Sequence, residues 1–209
     1  MKNLLYIVCL SCLAFSCTIQ QKIHFNRDWS GTMEYQVDLS SMKEMMESTA
    51  DSTDSGDFMN DPEMLAALDK MKSVEGISNV KYVESDEDVL SYSYDFSSID
   101  ALNRSFGAGS IMEMGGENNP SSSFILKGNK LTYQLAAVES PLEEEEEGEG
   151  IGLEMINYEL TISFDREIKK VTGEGTQISN GNTMELHTNF SELMKLAGES
   201  QKIVMKLGK

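Results

Sequence analysis

Thr32-Met33-Glu34-Tyr35-Gln36-Val37-Asp38-Leu39 decides the fold. Met33, Tyr35, Val37 and Leu39 fall on one side of an extended chain, and Thr32, Glu34, Gln36 and Asp38 fall on the other. That period of two marks a strand half buried in an antiparallel sheet, with a wet outer face. The same alternation returns downstream. Leu90, Tyr92, Tyr94 and Phe96 alternate with Ser91, Ser93 and Asp95, and Ile77–Glu84 is the expected partner across the acidic turn Ser85-Asp86-Glu87-Asp88. Phe124–Lys127 and Lys130–Leu135 form a hairpin, because Gly128-Asn129 supplies the positive φ of a tight turn. Met155–Phe164 places Ile156, Tyr158, Leu160, Ile162 and Phe164 on one face. Ile168–Val171, Thr183–Thr188 after the turn Asn180-Gly181-Asn182, and Lys202–Leu207 complete the expected strands.

Helical spacing appears between these strands. Asp61-Pro62 starts a helix carrying Met64, Leu65, Leu68 and Met71, and Gly76 ends it. Ser97 or Ser98 caps a turn with Ile99, Leu102 and Phe106. Phe190, Leu193, Met194 and Ala197 mark a brief helix closed by Gly198. The expected fold is α+β: a mostly antiparallel sheet with two or three amphipathic helices packed on one face, plus disordered acidic loops. Residues 31–209 read as a single domain. Flexible inserts are expected near 47–61, 107–122 and 139–152, where Asp, Ser, Gly, Asn and Glu displace apolar residues.

Charge narrows the function classes. The 209 residues hold 17 Lys+Arg against 35 Asp+Glu, a net charge of −18. A field of that sign repels nucleic acid and anionic headgroups, which excludes a nucleic-acid role.

Residues 1–16 set the cellular address. One cation, Lys2, precedes the apolar run Leu4–Phe15, which is too short for a permanent membrane span and fits a signal-peptide core. The run closes in Ala14-Phe15-Ser16-Cys17. This resembles a bacterial lipoprotein signal, in which the cysteine is acylated and becomes the mature N-terminus. Phe15 is bulkier than the residue usual in that pattern, and Ala14 stands where Leu is common. Cys12 is a rival acceptor, but its use would leave Leu13-Ala14-Phe15 exposed, so Cys17 is preferred. The alternative is an ordinary cleaved signal with Cys17 as a remaining thiol.

Cleavage before Cys17 would remove Lys2 and no acid, taking the net charge to −19. It would also remove Cys9 and Cys12, so their C-x-x-C spacing is no redox or metal motif and the mature chain can form no internal disulfide. Residues 17–30 read as a tether. Two acyl chains, palmitate among them, hold a protein stably where one holds marginally, since each buried CH₂ adds about 0.8 kcal/mol.

No convergent catalytic set is visible. His24 falls in the expected tether and His187 on the outer face of its strand, away from any nucleophile or zinc motif. Met42, Met45 and Met46 could offer thioethers to Cu(I), but no His or Cys stands near and methionine also fills cores. Asp51, Asp54 and Asp57 around Gly56 resemble a calcium loop, yet Pro62 stands where the closing Glu is required. The block Glu143–Glu147 with Glu149 would attract Ca²⁺ weakly. Trp29 is expected to cap the core. A carboxylate pair beside Trp29 or Tyr94 would revive a hydrolase reading. No catalytic residue, cofactor or metal site is assigned.

The order of elements resembles that of small Bacteroidetes-type lipoproteins of unassigned function. Tyr158–Phe164, Val171-Thr-Gly173 and Gly181–Leu186 also resemble the strand-turn-strand of LppM-type lipoprotein domains, with Asp165 and His187 where proline and tryptophan are expected. The resemblance implies an α+β sandwich in the cell envelope and a hint of amphiphile binding.

The leading expectation is a non-catalytic, lipid-anchored envelope lipoprotein. It would sit on the outer membrane facing the periplasm and present an acidic surface to an envelope protein partner. The alternative is a carrier of a lipid or other amphiphile, held between the methionine-bearing helix and the aromatic sheet face. A carboxylate-based hydrolase stands third.

Overall fold

The computed structural model describes residues 17–38, 40, 66, 69–86, 89–108, 122–135, 156–189, 191–193 and 202–208. Its strands are β1 (Cys17–Phe25), β2 (Gly31–Asp38), β3 (Ile77–Asp86), β4 (Val89–Phe96), β5 (Ser123–Lys127) and β6 (Lys130–Gln134). They continue with β7 (Ile156–Phe164), β8 (Ile168–Thr172), β9 (Thr176–Ser179), β10 (Thr183–Asn189) and β11 (Lys202–Leu207), and one helix, α1 (Ile99–Ala108), follows β4. Two sheets result: seven strands in the order β3-β4-β2-β1-β7-β10-β9, and four in the order β5-β6-β11-β8. Every pairing is antiparallel except β1 with β7, so the larger sheet is mixed.

The two sheets pack face to face, which makes the protein mainly β. Ile19, Ile23 and Phe25 of β1, Met33, Tyr35 and Val37 of β2, Leu90 to Phe96 at alternate positions of β4, and Tyr158 to Phe164 at alternate positions of β7 all turn inward. They meet Phe124, Leu131, Tyr133, Ile203, Met205 and Leu207 of the smaller sheet. Phe25 is the hub: its ring lies 5.4 Å from each of Phe96, Phe124 and Phe164. Next to it, Gly31 must remain a glycine, because a Cβ there would run into the His24 carbonyl and the Phe96 ring.

The expected strands are present, with two additions and one regrouping. Residues 17–25, expected as tether, form the central strand β1. Thr176–Ser179, unassigned from sequence, forms edge strand β9 against β10. Ile168–Val171 does form a strand, but it belongs to the smaller sheet, paired with β11. The expectation of helices covering one face is also corrected, because the second sheet covers much of that face.

α1 fills the remaining corner. Ser98 Oγ accepts from Ala101 N, capping the helix as expected. Asn103 then hydrogen-bonds both backbone groups of Phe124 on edge strand β5, at 2.9 and 2.7 Å. Among the residues expected in the other helices, 69–72 and 191–193 are helical and Met71 is buried. The expected helical positions 61–65 and 194–198 lie outside the described residues, as do most of the expected inserts at 47–61, 107–122 and 139–152. No helix among the described residues is long and apolar enough to cross a membrane.

Candidate functional site

Cys17 is the first residue of β1 and is already in the sheet. It stands opposite Ile156 of β7, while its neighbour Thr18 stands opposite Asp38 of β2. The half-buried thiol donates to the Asp38 carbonyl at 2.9 Å. Burial first, and the Asp38 charge second, push its pKa above the ordinary thiol value. Register brings three more strand ends to this rim: Asp38 closes β2, Val89 opens β4 opposite it, and Asn189 closes β10 opposite Asn157.

At the other end of β1 the fold creates a cluster that the sequence conceals. His24, on the outer face, has its Nδ1 2.9 Å from Ser163 Oγ on β7 and its Nε2 3.4 Å from Asp165 Oδ1. Serine, histidine and aspartate together invite a nucleophilic reading, but an acyl-transfer site also needs backbone donors aimed at the developing oxyanion. The two amides that follow Ser163 are spent: Phe164 N donates to Asn182 O at 3.0 Å and Asp165 N to Phe25 O at 3.1 Å. The histidine and aspartate side chains are 40% and 46% exposed, so water screens the pair. The cluster ties β1 to β7 on the solvent side.

The other singled-out residues are also located. His187 is half exposed on β10, with Nδ1 3.7 Å from Glu159 and Nε2 3.8 Å from Glu185. Trp29, in the β1–β2 connection, packs edge-on against Phe25 as the expected cap, and the Arg166 guanidinium lies 5.0 Å over its ring. Its backbone adopts φ 70°, which is unusual for a bulky residue. Tyr94 meets Ser105 Oγ at 2.7 Å. Met42, Met45, Met46, Asp51, Asp54, Asp57, Glu143–Glu147 and Glu149 lie outside the described residues. Among those described, no three His, Cys, Asp or Glu side chains gather to hold a metal ion.

Between the sheets lies a polar line that the hydropathy pattern gives no reason to expect. Gln21 occupies an inward position of β1 and is buried. The Tyr158 hydroxyl donates to its Oε1 at 2.6 Å, and Tyr133 bears on both. Tyr35, Tyr92 and Tyr94 extend the group across β2 and β4, with Tyr35 and Tyr92 stacked at 5.2 Å.

No protein-family model matches the chain, and no curated protein matches it. Among solved structures it is similar to the folded domain of LppM from Mycobacterium tuberculosis, determined by NMR. The TM-score is 0.44 at 12% identity, over 93% of this chain and 91% of that one.

Proposed function

We propose that this chain is a non-catalytic, lipid-anchored lipoprotein of the cell envelope, whose β domain is a protein-interaction or structural module. Residues 1–16 are its signal peptide and Cys17 carries the acyl chains, palmitate among them. The observation that carries the reading is the place of Cys17: it follows the apolar run after the single small residue Ser16, and its sulfur sits at the rim of the domain, where a lipid can leave without crossing the core. Thr18, where aspartate would favour retention in the inner membrane, supports an outer-membrane position. The lack of an acidic run straight after Cys17 supports the periplasmic face.

The spent amides after Ser163 weigh against a serine-nucleophile reading of the His24 cluster. The rings of Phe25, Phe124, Tyr133 and Tyr158 fill the space between the two sheets, whereas the amphiphile site of the carrier reading belongs under the methionine-bearing helix, most of which lies outside the described residues. Labelling host cells with a radioactive fatty acid tests the anchor: wild type takes up label and Cys17→Ala does not. Equal labelling of the two would overturn the assignment. Pull-down from solubilised envelopes then tests the module, and a reproducible protein partner is the expected result.

A further inference from the structure

We propose that the Cys17 rim of the seven-stranded sheet is the bilayer-facing end of the domain, held against the lipid surface without a leash. Trp29, Arg166 and the His24–Asp165 pair then stand at the end turned away from the membrane. This rests on the acylation of Cys17 proposed above and adds an orientation to it.

Ladder pairing begins at the anchor itself. Cys17 pairs with Ile156 and Thr18 with Asp38, so no extensible residue separates the sulfur from the sheet. A thirteen-residue leash could reach about 45 Å at ~3.5 Å per residue. Here that reach is absent, and a lipid on this sulfur draws the rim to the headgroups. The rest of the register fixes which residues accompany it: Asn157, Asn189 and Asp38 lie level with Thr18.

Both ends carry charge, so the orientation rests on the anchor and its pairing and not on a charge difference. The rim offers Thr18, Asn157 and Asn189, uncharged hydrogen-bonding groups, beside the half-buried Ile156. It also holds Asp38, whose carboxylate is engaged by the amide and hydroxyl of Ser40, and, by register opposite Val89, Asp86 of β3. The opposite end carries Arg27, Asp28, Asp165, Arg166 and Glu167. Eight residue steps along β1 at ~3.3 Å put the ends about 26 Å apart.

The full-length protein, acylated in a bacterial host and reconstituted in phosphatidylcholine vesicles containing brominated lipid, tests this. Acylation blocks Cys17, so a bimane label goes to a single introduced cysteine at Asn157→Cys or Arg27→Cys, both exposed positions. Quenching at position 157 should exceed that at 27 about threefold, given the ~26 Å between them. Hydroxyl-radical footprinting of the unmutated protein repeats the comparison without substitutions: Ile156 is protected on vesicles relative to soluble Cys17→Ala, and Trp29 is not. Mass spectrometry of the N-terminal peptide accompanies both. Equal quenching, or equal footprints at Ile156, on acylated protein would overturn the orientation and leave the anchor standing. An unacylated peptide would overturn both.

Discussion

The hydroxyl of Tyr158 donates a 2.6 Å hydrogen bond to Oε1 of Gln21 in the buried layer between the two sheets. That bond lets an amide occupy an inward position of the central strand. Tyr158→Phe keeps the ring and removes the donor, leaving Gln21 Oε1 short of a partner where water does not reach. The expected loss is about 1–3 kcal/mol of stability, read from the urea midpoint at unchanged slope. An unmoved midpoint would mean that Tyr133 satisfies the amide unaided.

Alkaline pH should unfold the protein steeply. Burial, the largest cause in each case, raises the pKa of Tyr35, Tyr92, Tyr94, Tyr133 and Tyr158 above the ordinary phenol value. Below about pH 10 these phenols are protonated in both folded and unfolded chains, and the stability they contribute is fully present. Above it the unfolded chain releases protons that the folded chain retains, so stability falls as pH rises towards the raised values. Each such tyrosine removes up to about 1.4 kcal/mol per pH unit in that window. Tyrosinate absorbance should therefore rise together with loss of the β-sheet circular dichroism signal. Smooth titration of these phenols near pH 10 with the fold intact would contradict their burial.

Phe25→Ala should be among the most damaging single changes. It empties the site where four aromatic neighbours, Trp29, Phe96, Phe124 and Phe164, converge. Truncating a buried phenylalanine costs about 3–5 kcal/mol, a large share of the stability of a domain this size. Thermal melting checks it. A loss under about 0.5 kcal/mol is the surface-substitution range and would suit a tether, not the middle strand of a sheet.

Ser163→Ala should change little. The hydroxyl belongs to a half-exposed contact with His24, and surface substitutions of this kind fall within about 0.5 kcal/mol. Hydrolysis of p-nitrophenyl acetate should be the same for wild type, variant and buffer. A rate that depends on Ser163 would make the His24 cluster a catalytic one and overturn the non-catalytic reading.

The strands most legible in the sequence are those with an unbroken apolar row: β2, β4 and β7, along with the Gly128-Asn129 hairpin, whose turn residue takes φ 63°. β1 escaped because Gln21 interrupts its inward row of Ile19, Ile23 and Phe25, and because it directly follows the signal. The amide is tolerated there through a tyrosine 137 positions away, which no local pattern records. β9 escaped for the opposite reason: its apolar residue, Ile178, points out to solvent at the sheet edge. The His24 cluster has no sequence signature, since Ser163 and Asp165 reach the imidazole through parallel pairing of β1 with β7. Met71 and Met33 did follow their patterns into the core.

The parallel β1–β7 pair also constrains the order of assembly. A chain emerging from its N-terminus presents β1 first, yet the strand that completes β1 on its second side arrives more than a hundred positions later. Long-range closures of this kind are slow. Until Ile156–Phe164 emerges, the half-made sheet ends in an open edge bearing Ile19, Ile23 and Phe25. A holdase that shields this edge during biogenesis should raise the yield of native protein.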